Sequence, residues 1–323
     1  MRRYSAVLLG YYGFGNLGDE LLLRACINIL QRCGIERDRI AVLSNNPEET
    51  AQKFNVHAVN RWSFNESVRI FRESERLILG GGGIFQDSTS VKSCIWYWGM
   101  MRLARFFGMK VYAIGQSVGP LRSGISEFFA GNALRNCEGV QVRDDNSLRL
   151  ALCLGCKNAV RGYDLVLTLK PENGHVLSGS AAETGKYMLV NLRPCPELEH
   201  YREILRGHVD GETVGAAMSA DDEEAMKGLG LREVVRVKTF GEAQELWRGA
   251  ECAVGMRLHF GVLSRIFGTP MALMPYDVKV KEFALQSGVP CVGGEWAEPV
   301  KPKGIPDEVF EVEGFVRGMF SRQ

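Results

Sequence analysis

Short, continuous apolar runs alternate along this chain with segments whose apolar residues recur at helical spacing. In the first half the runs predict strands over 5–9, 40–43, 76–79, 110–114, 139–142 and 163–167. Helices are predicted between them over 20–32, 64–73, 92–107, 124–136 and 146–154. Uninterrupted apolar strands separated by helices mean a parallel sheet covered on both faces. The pattern breaks over 170–186, a stretch rich in Gly, Ser and polar residues with no apolar period, which reads as a linker. It resumes with strands over 187–191, 213–217, 234–238, 252–256, 271–274 and 289–292, and helices over 222–228, 242–248, 258–267, 278–287 and 307–320. The expected fold is α/β: two tandem Rossmann-like, doubly wound domains at 1–170 and 187–323, joined by a linker at 171–186. Ligands of such sheets bind outside the carboxyl ends of the strands.

Length and composition narrow the class. A chain of 323 residues buries roughly three quarters of its unfolded surface and needs neither disulfides nor a metal to hold a core. Hydrophobic residues at 46% and charged residues at 24% exclude disorder, collagen and coiled coil. A net charge of +1 argues against a nucleic-acid binder. No run of about 18 apolar residues is present, so no transmembrane helix is expected, and the apolar stretch after Arg2-Arg3 is too short for a signal peptide. Nine cysteines without such a signal point to reduced thiols in the cytoplasm. Cys153 and Cys156 have CxxC spacing but no second ligand pair, so no metal site is expected. The aromatic segment Ile95–Phe107 fits an interfacial helix or, more simply, one buried under the sheet. The acidic run Asp221–Glu224 suits the first turn of a helix.

The candidate chemistry lies just after the strands. Gly13, Gly15 and Gly18 match the dinucleotide fingerprint in context. Asp19 at the helix start and Leu43-Ser44-Asn45-Asn46 after the second strand, with no carboxylate for a ribose, count against it. A Gly-rich loop offering backbone N–H groups and one carboxylate fits better. Gly80-Gly81-Gly82-Gly83 after the third strand permits close backbone approach to a ligand. Gly115-Gln116-Ser117-Val118-Gly119 matches the nucleophile elbow, with Asp164 and His259 in the right order, but Pro120 and the residues after it delay the helix the elbow requires. Arg143 and Arg193 each follow a strand and are expected to point toward the ligand. Arg257 and His259 sit at a strand-to-helix turn, where guanidinium, imidazole and free N–H groups can gather an anion. Lys279 follows the next strand as a further cation.

Taken in order, Gly10–Glu20 (GYYGFGNLGDE), LGGGGIFQD at 79–87, GQSVGPL at 115–121, VRD at 142–144, NLRP at 191–194, GMRLH at 255–259 and YDVKV at 276–280 resemble the polysaccharide pyruvyltransferase family, most closely its CsaB-type branch. The resemblance implies a GT-B-like fold and pyruvyl transfer from phosphoenolpyruvate to a sugar, usually as a 4,6-ketal, with no cofactor beyond that co-substrate. In this branch the acceptor is a lipid-linked precursor containing N-acetylmannosamine, carried on undecaprenyl diphosphate, and the ketal anchors S-layer proteins to the secondary cell-wall polymer. That places the protein in the cytoplasm, with peripheral contact to the inner face of the membrane allowed. The family's usual Ala-Asp-Pro after the sixth strand is here Gly162-Tyr163-Asp164-Leu165.

Residue by residue, the expected phosphoenolpyruvate ligands are Arg143, Arg193, Arg257, Lys279, Gly81 and Gly82. Asn16, Gln86, Asp87 and Gln116 are expected at the acceptor. His259 is expected to carry the proton, Asp19 to assist the sugar hydroxyl, and Arg257 to support the reaction; no metal is expected. Two rivals remain: a nucleotide-sugar glycosyltransferase on the same fold, and a non-catalytic member that binds phosphoenolpyruvate or sugar.

Overall fold

The structure, a computed structural model, describes residues 2–87, 90–171 and 187–321. Residues 172–186, nearly all of the expected linker, lie outside the described residues. The first sheet contains β1 (Ala6–Leu9), β2 (Ile40–Ser44), β3 (His57–Asn60), β4 (Arg76–Phe85), β5 (Lys110–Val118), β6 (Gly139–Val142) and β7 (Ala159–Arg161). Its helices are α1 (Leu17–Arg32), α2 (Pro47–Phe54), α3 (Phe64–Arg72), α4 (Val91–Phe106), α5 (Gly124–Arg135) and α6 (Asp145–Cys153). The second sheet contains β8 (Tyr187–Asn191), β9 (Val214–Ala217), β10 (Glu233–Arg236), β11 (Ala250–Gly255) and β12 (Met271–Leu273). Its helices are α7 (Leu198–Arg206), α8 (Ala220–Met226), α9 (Phe240–Arg248), α10 (Leu258–Phe267) and α11 (Val278–Ser287), and α12 (Glu311–Ser321) follows.

Both sheets are wholly parallel, in the orders β3-β2-β1-β4-β5-β6-β7 and β10-β9-β8-β11-β12. Each winds outward in both directions from its first strand, so each has a switch point: between β1 and β4, and between β8 and β11. The central strands are buried along their length, as β1 (Ala6, Val7, Leu8, Leu9) shows. Burying each such Val or Leu side chain is worth about 1.5–3 kcal/mol. Helix starts are set locally: the side chains of Asn46, Ser63 and Asp144 accept from backbone N–H groups in the first turns of α2, α3 and α6.

The expected pair of doubly wound parallel sheets is found, with local corrections. The run 163–167 is not a strand: Asp164 accepts from the N–H of Val166 and opens a 3-10 turn, Leu165–Thr168. The run 289–292 makes a single bridge, Cys291 to Leu273. Elements α2, β3, β7 and α7 were not expected. The described residues pack as two units, 2–14, 22–87, 90–168 and 307–321 forming one, and 15–21, 169–171 and 187–306 the other. Residues 307–321 thus pack with the N-terminal unit. Val309, Val312, Val316 and Met319 are buried, Phe315 packs on Gly139, and the Arg76 guanidinium donates to the Met319 carbonyl.

Candidate functional site

At the switch point of the second sheet, β8 and β11 end side by side with Asn191 opposite Gly255. The chain leaving β11 turns immediately into α10, whose N-cap is Arg257. Buried Asn191 holds this turn: its Oδ1 accepts from the Arg257 N–H at 3.0 Å, and its Nδ2 donates to the Ala216 carbonyl at 2.8 Å. The Arg257 guanidinium lies on Asp222. Nε donates to both carboxylate oxygens at 3.0 Å, and Nη2 donates to Oδ1 at 2.5 Å and to the Ser219 hydroxyl. Burial opposes the Arg257 charge. Hydrogen bonding and attraction from Asp222, with Tyr276 and Asp19 adding to them, outweigh burial and raise its pKa.

Asp222 is the residue that sequence reasoning assigned only to a helix start. It does occupy the first turn of α8, in a capping box with Ser219. It is also wholly buried and accepts from the N–H groups of Met218 and Ser219. A buried carboxylate must be paired, and Arg257 is its cation. The acidic run supplied no signal for this, because the partner lies 35 residues away.

Residues 15–21 pack with this unit. The Leu17 N–H donates to the Met218 carbonyl, and Arg236 donates to the Gly15 carbonyl. Asn16 turns its side chain back onto the Gly18 N–H at 2.9 Å and so opens α1. Gly18 is where the His259 ring comes in: a Cβ built on Gly18 would stand 2.1 Å from His259 Nδ1. Only glycine lets the imidazole lie against that first turn. His259 Nε2 is shielded from solvent. Asp19 follows directly. Burial pushes its pKa up from 3.8 to about 6; the His259 charge opposes that rise, Glu20 adds to it, and Arg257 and Lys279 also oppose it.

The two remaining cations gather on Tyr276. Arg193 donates to the Tyr276 hydroxyl at 2.8 Å and lies 4.5 Å from the ring centroid. Lys279 Nζ is 6.0 Å from the same centroid and 3.1 Å from Asp277, the N-cap of α11. Arg193, Arg257, Lys279, His259 and Asp19 thus belong to one unit and cluster at the strand ends and helix N-termini. Of the three permanent cations, Arg193 alone has no carboxylate partner among the described residues. The arrangement can hold an anion, and it offers an imidazole and a carboxylate for moving protons.

The residues expected in the first unit are placed differently. The Arg143 guanidinium is taken up by an ion pair within its own unit. It is 5% exposed and donates to buried Asp164 at 2.8 Å, with Asp144 at 3.9 Å. Gly80–Gly83 is not a loop but the middle of β4, which runs on to Phe85. Gly80 and Gly81 have a packing reason: side chains there would strike the Tyr12 hydroxyl and Cys26, and Leu22. Gly81 and Gly82 also take positive φ, 83° and 88°, which suits glycine. Both are buried. Gln116 is wholly buried within β5, its amide donating to the Leu79 and Ile114 carbonyls, so it has no surface for an acceptor. Ser117 also lies in β5, 4% exposed and bonded to Asp144, so it is no nucleophile elbow. Asp87 accepts from the N–H groups of Arg122 and Ser123, which lowers its pKa despite the opposing effect of burial. Gln86 is half-buried, its carbonyl accepting from Cys94. Cys153 and Cys156 lie at the end of α6 and just beyond it, and both are free thiols. Among the described residues no helix is long and apolar enough to cross a membrane.

Solved structures with the same architecture include enzymes of nucleotide sugars. UDP-GlcNAc 2-epimerase from Methanocaldococcus jannaschii superimposes with a TM-score of 0.64 at 11% identity, covering 98% of this chain and 99% of the epimerase. The Neisseria meningitidis UDP-GlcNAc 2-epimerase, bound to UDP-GlcNAc, gives 0.60 at 9% identity over 98% and 100%. Anabaena HepE, in complex with UDP and glucose, gives 0.56 at 11% over 100% and 90%. At such identities the likeness is one of fold, the two-sheet GT-B type. No curated protein matches the chain in sequence. The family described as "Polysaccharide pyruvyl transferase" matches residues 16–278, a span running from the residue that opens α1 through the Asn191–Arg257–His259 cluster to the start of α11, and the chain belongs to that family.

Proposed function

We propose that this protein transfers the pyruvyl group of phosphoenolpyruvate to two hydroxyls of an amino sugar, closing a 4,6-ketal. The single observation that carries the reading is the packing of Asp19 and His259 beside the Asp222-anchored Arg257 in one cationic cluster. Phosphoenolpyruvate brings a carboxylate and a phosphate. Arg257, Arg193 and Lys279 supply positive charge for them, and the α10 and α11 N-termini add their dipoles. His259 delivers a proton to the C3 methylene, which becomes a methyl group and leaves C2 electron-poor. Asp19 takes the proton of the first sugar hydroxyl as its oxygen bonds to C2. The second hydroxyl then attacks C2, the C2–O bond to phosphate breaks, that hydroxyl's proton goes to His259 and restores it, and Asp19 passes the proton it took to the departing phosphate, so both groups are ready for the next cycle. Acid–base help of this kind is worth roughly 10²–10⁴ in rate.

Following the CsaB-like motifs, the acceptor in this reading is an undecaprenyl-diphosphate-linked, N-acetylmannosamine-containing precursor of the secondary cell-wall polymer. The product is the ketal that anchors S-layer proteins. The enzyme acts in the cytoplasm, at the membrane's inner face. The test is phosphate release from phosphoenolpyruvate across a panel of lipid-linked and nucleotide-linked amino sugars. Acceptor-dependent release is expected. Turnover of a nucleotide sugar with phosphoenolpyruvate left intact would assign the chain to glycosyl transfer instead, and phosphoenolpyruvate binding without release would make it a non-catalytic member.

A further inference from the structure

The first unit carries an aromatic cluster that the chemistry above does not use. At the carboxyl ends of β1, β2 and β3 stand Tyr11, Asn45 and the pair Arg61-Trp62. Arg61 is 4% exposed, and its Nη1 donates to the Gly10 carbonyl at 2.7 Å. Rings surround it: the Trp96 centroid lies 4.2 Å from its guanidinium carbon, Trp62 5.1 Å, Phe14 5.2 Å and Tyr11 6.0 Å. Such cation–ring contacts fix the rings as well as the cation.

The outer rings are both exposed and held. Tyr11 is 46% exposed and stacks on Phe14 with centroids 3.9 Å apart and planes 6° from parallel. Trp62 is 58% exposed, yet its Nε1 donates to Asn45 Oδ1 at 2.8 Å, and its ring tilts at 55° against Trp96. Large aromatic surface left in water but immobilised is preorganised for a flat apolar partner. The C–H face of a pyranose is such a partner, and its hydroxyls suit the polar Asn45 beside it. A bilayer contact would carry its cations around the rim; here Arg61 is buried beneath the rings. The position agrees with where open parallel sheets bind ligands.

We infer that Tyr11 and Trp62 form a stacking platform for a pyranose of the acceptor saccharide. This rests on the reading that the protein acts on a saccharide. The experiment is saturation-transfer NMR on the full chain with the methyl glycosides of N-acetylmannosamine and N-acetylglucosamine, for the wild type, Trp62→Ala and Tyr11→Ala. Both side chains are exposed, and circular dichroism and thermal melting confirm that the variants fold.

Wild type should saturate the ring C–H protons of at least one glycoside, and each variant should lose most of that signal. In steady-state assays the acceptor KM should rise by about tenfold, the change given by ~1.4 kcal/mol of stacking, with the KM for phosphoenolpyruvate unchanged. Absence of saturation in wild type, or equal saturation in all three proteins, overturns the platform. So does loss of co-sedimentation with phosphatidylglycerol vesicles in the variants while sugar saturation persists, which would make the patch a membrane contact. The two readings fail separately: sugar saturation that depends on Trp62, without any phosphate release from phosphoenolpyruvate, keeps the platform and removes pyruvyl transfer.

Discussion

Asp19→Asn should make the protein more stable and less active, and the first effect should depend on pH. Burial raises the Asp19 carboxyl from 3.8 to about 6, against the pull of His259, Arg257 and Lys279. A raised carboxylate pKa means that the folded state holds its proton more tightly than the unfolded chain. The stability tied to that proton is fully present below pH 3.8 and is lost as pH climbs to about 6. Above that the ionised side chain costs at most about 3 kcal/mol, at 1.36 kcal/mol per pH unit. Asp19 is only partly buried by surface, so screening by water reduces this to about 1–2 kcal/mol. Asparagine has the same shape and never ionises. Its variant should melt with wild type near pH 4 and several degrees higher at pH 8, the gap opening between those values. Scanning calorimetry at half-unit steps reads this directly. Ketal formation by the variant should fall by about 10²–10⁴, and wild-type turnover should decline as pH drops below about 6. A melting difference that does not change between pH 4 and 8, or a variant less stable than wild type at pH 8, would refute the argument.

Three further outcomes follow from contacts already described. Gly18→Ala removes no chemical group, yet it places a methyl 2.1 Å from His259 Nδ1 and should displace the ring; its turnover should fall nearly as far as that of His259→Ala, with a shifted imidazole resonance by NMR. Asp222→Asn leaves the Arg257 charge without its partner, so the midpoint of chemical denaturation should drop by the equivalent of about 3–5 kcal/mol and the KM for phosphoenolpyruvate should rise. Asp164→Asn should cost less stability, about 1–3 kcal/mol, because buried Arg143 keeps Asp144 at 3.9 Å, and should leave the KM for phosphoenolpyruvate nearly unchanged, which denaturation and steady-state kinetics together would check.

The alternation of apolar runs and helical periods was enough to read both parallel sheets, because central strands such as β1 and β2 are buried on both faces and are apolar throughout but for Ser44 at the end of β2. What it missed lies at the edges. Only Val59 of β3 is buried, and β7 is three residues long with none buried, so neither needs an apolar run. Helix α2 is mostly polar; its signal was local, Asn46 as cap with Pro47 behind it. The glycines of β4 looked like a loop because glycine is a poor strand former, and only the neighbours Tyr12, Cys26 and Leu22 show why side chains are excluded there. That Arg257, His259, Arg193, Lys279 and Asp19 fall in one unit follows from a pattern the sequence carries, since each sits at a strand-to-helix turn. Asp222 was not readable, since its partner is chosen by the tertiary fold. Arg143 carried the same sequence signal as Arg193; what separates them is Asp164, whose approach depends on the turn after β7.

The return of residues 307–321 to the first unit has a consequence for biosynthesis. Arg76 finds its backbone acceptor at Met319, and the bed for Val312 and Val316 was laid down more than a hundred residues earlier. On a ribosome adding 5–20 residues per second, roughly 7–28 s pass between completion of residue 168 and arrival of residue 307. Throughout that wait the earlier-made half exposes an unfilled apolar seam, while the insertion between its two pieces is free to finish first.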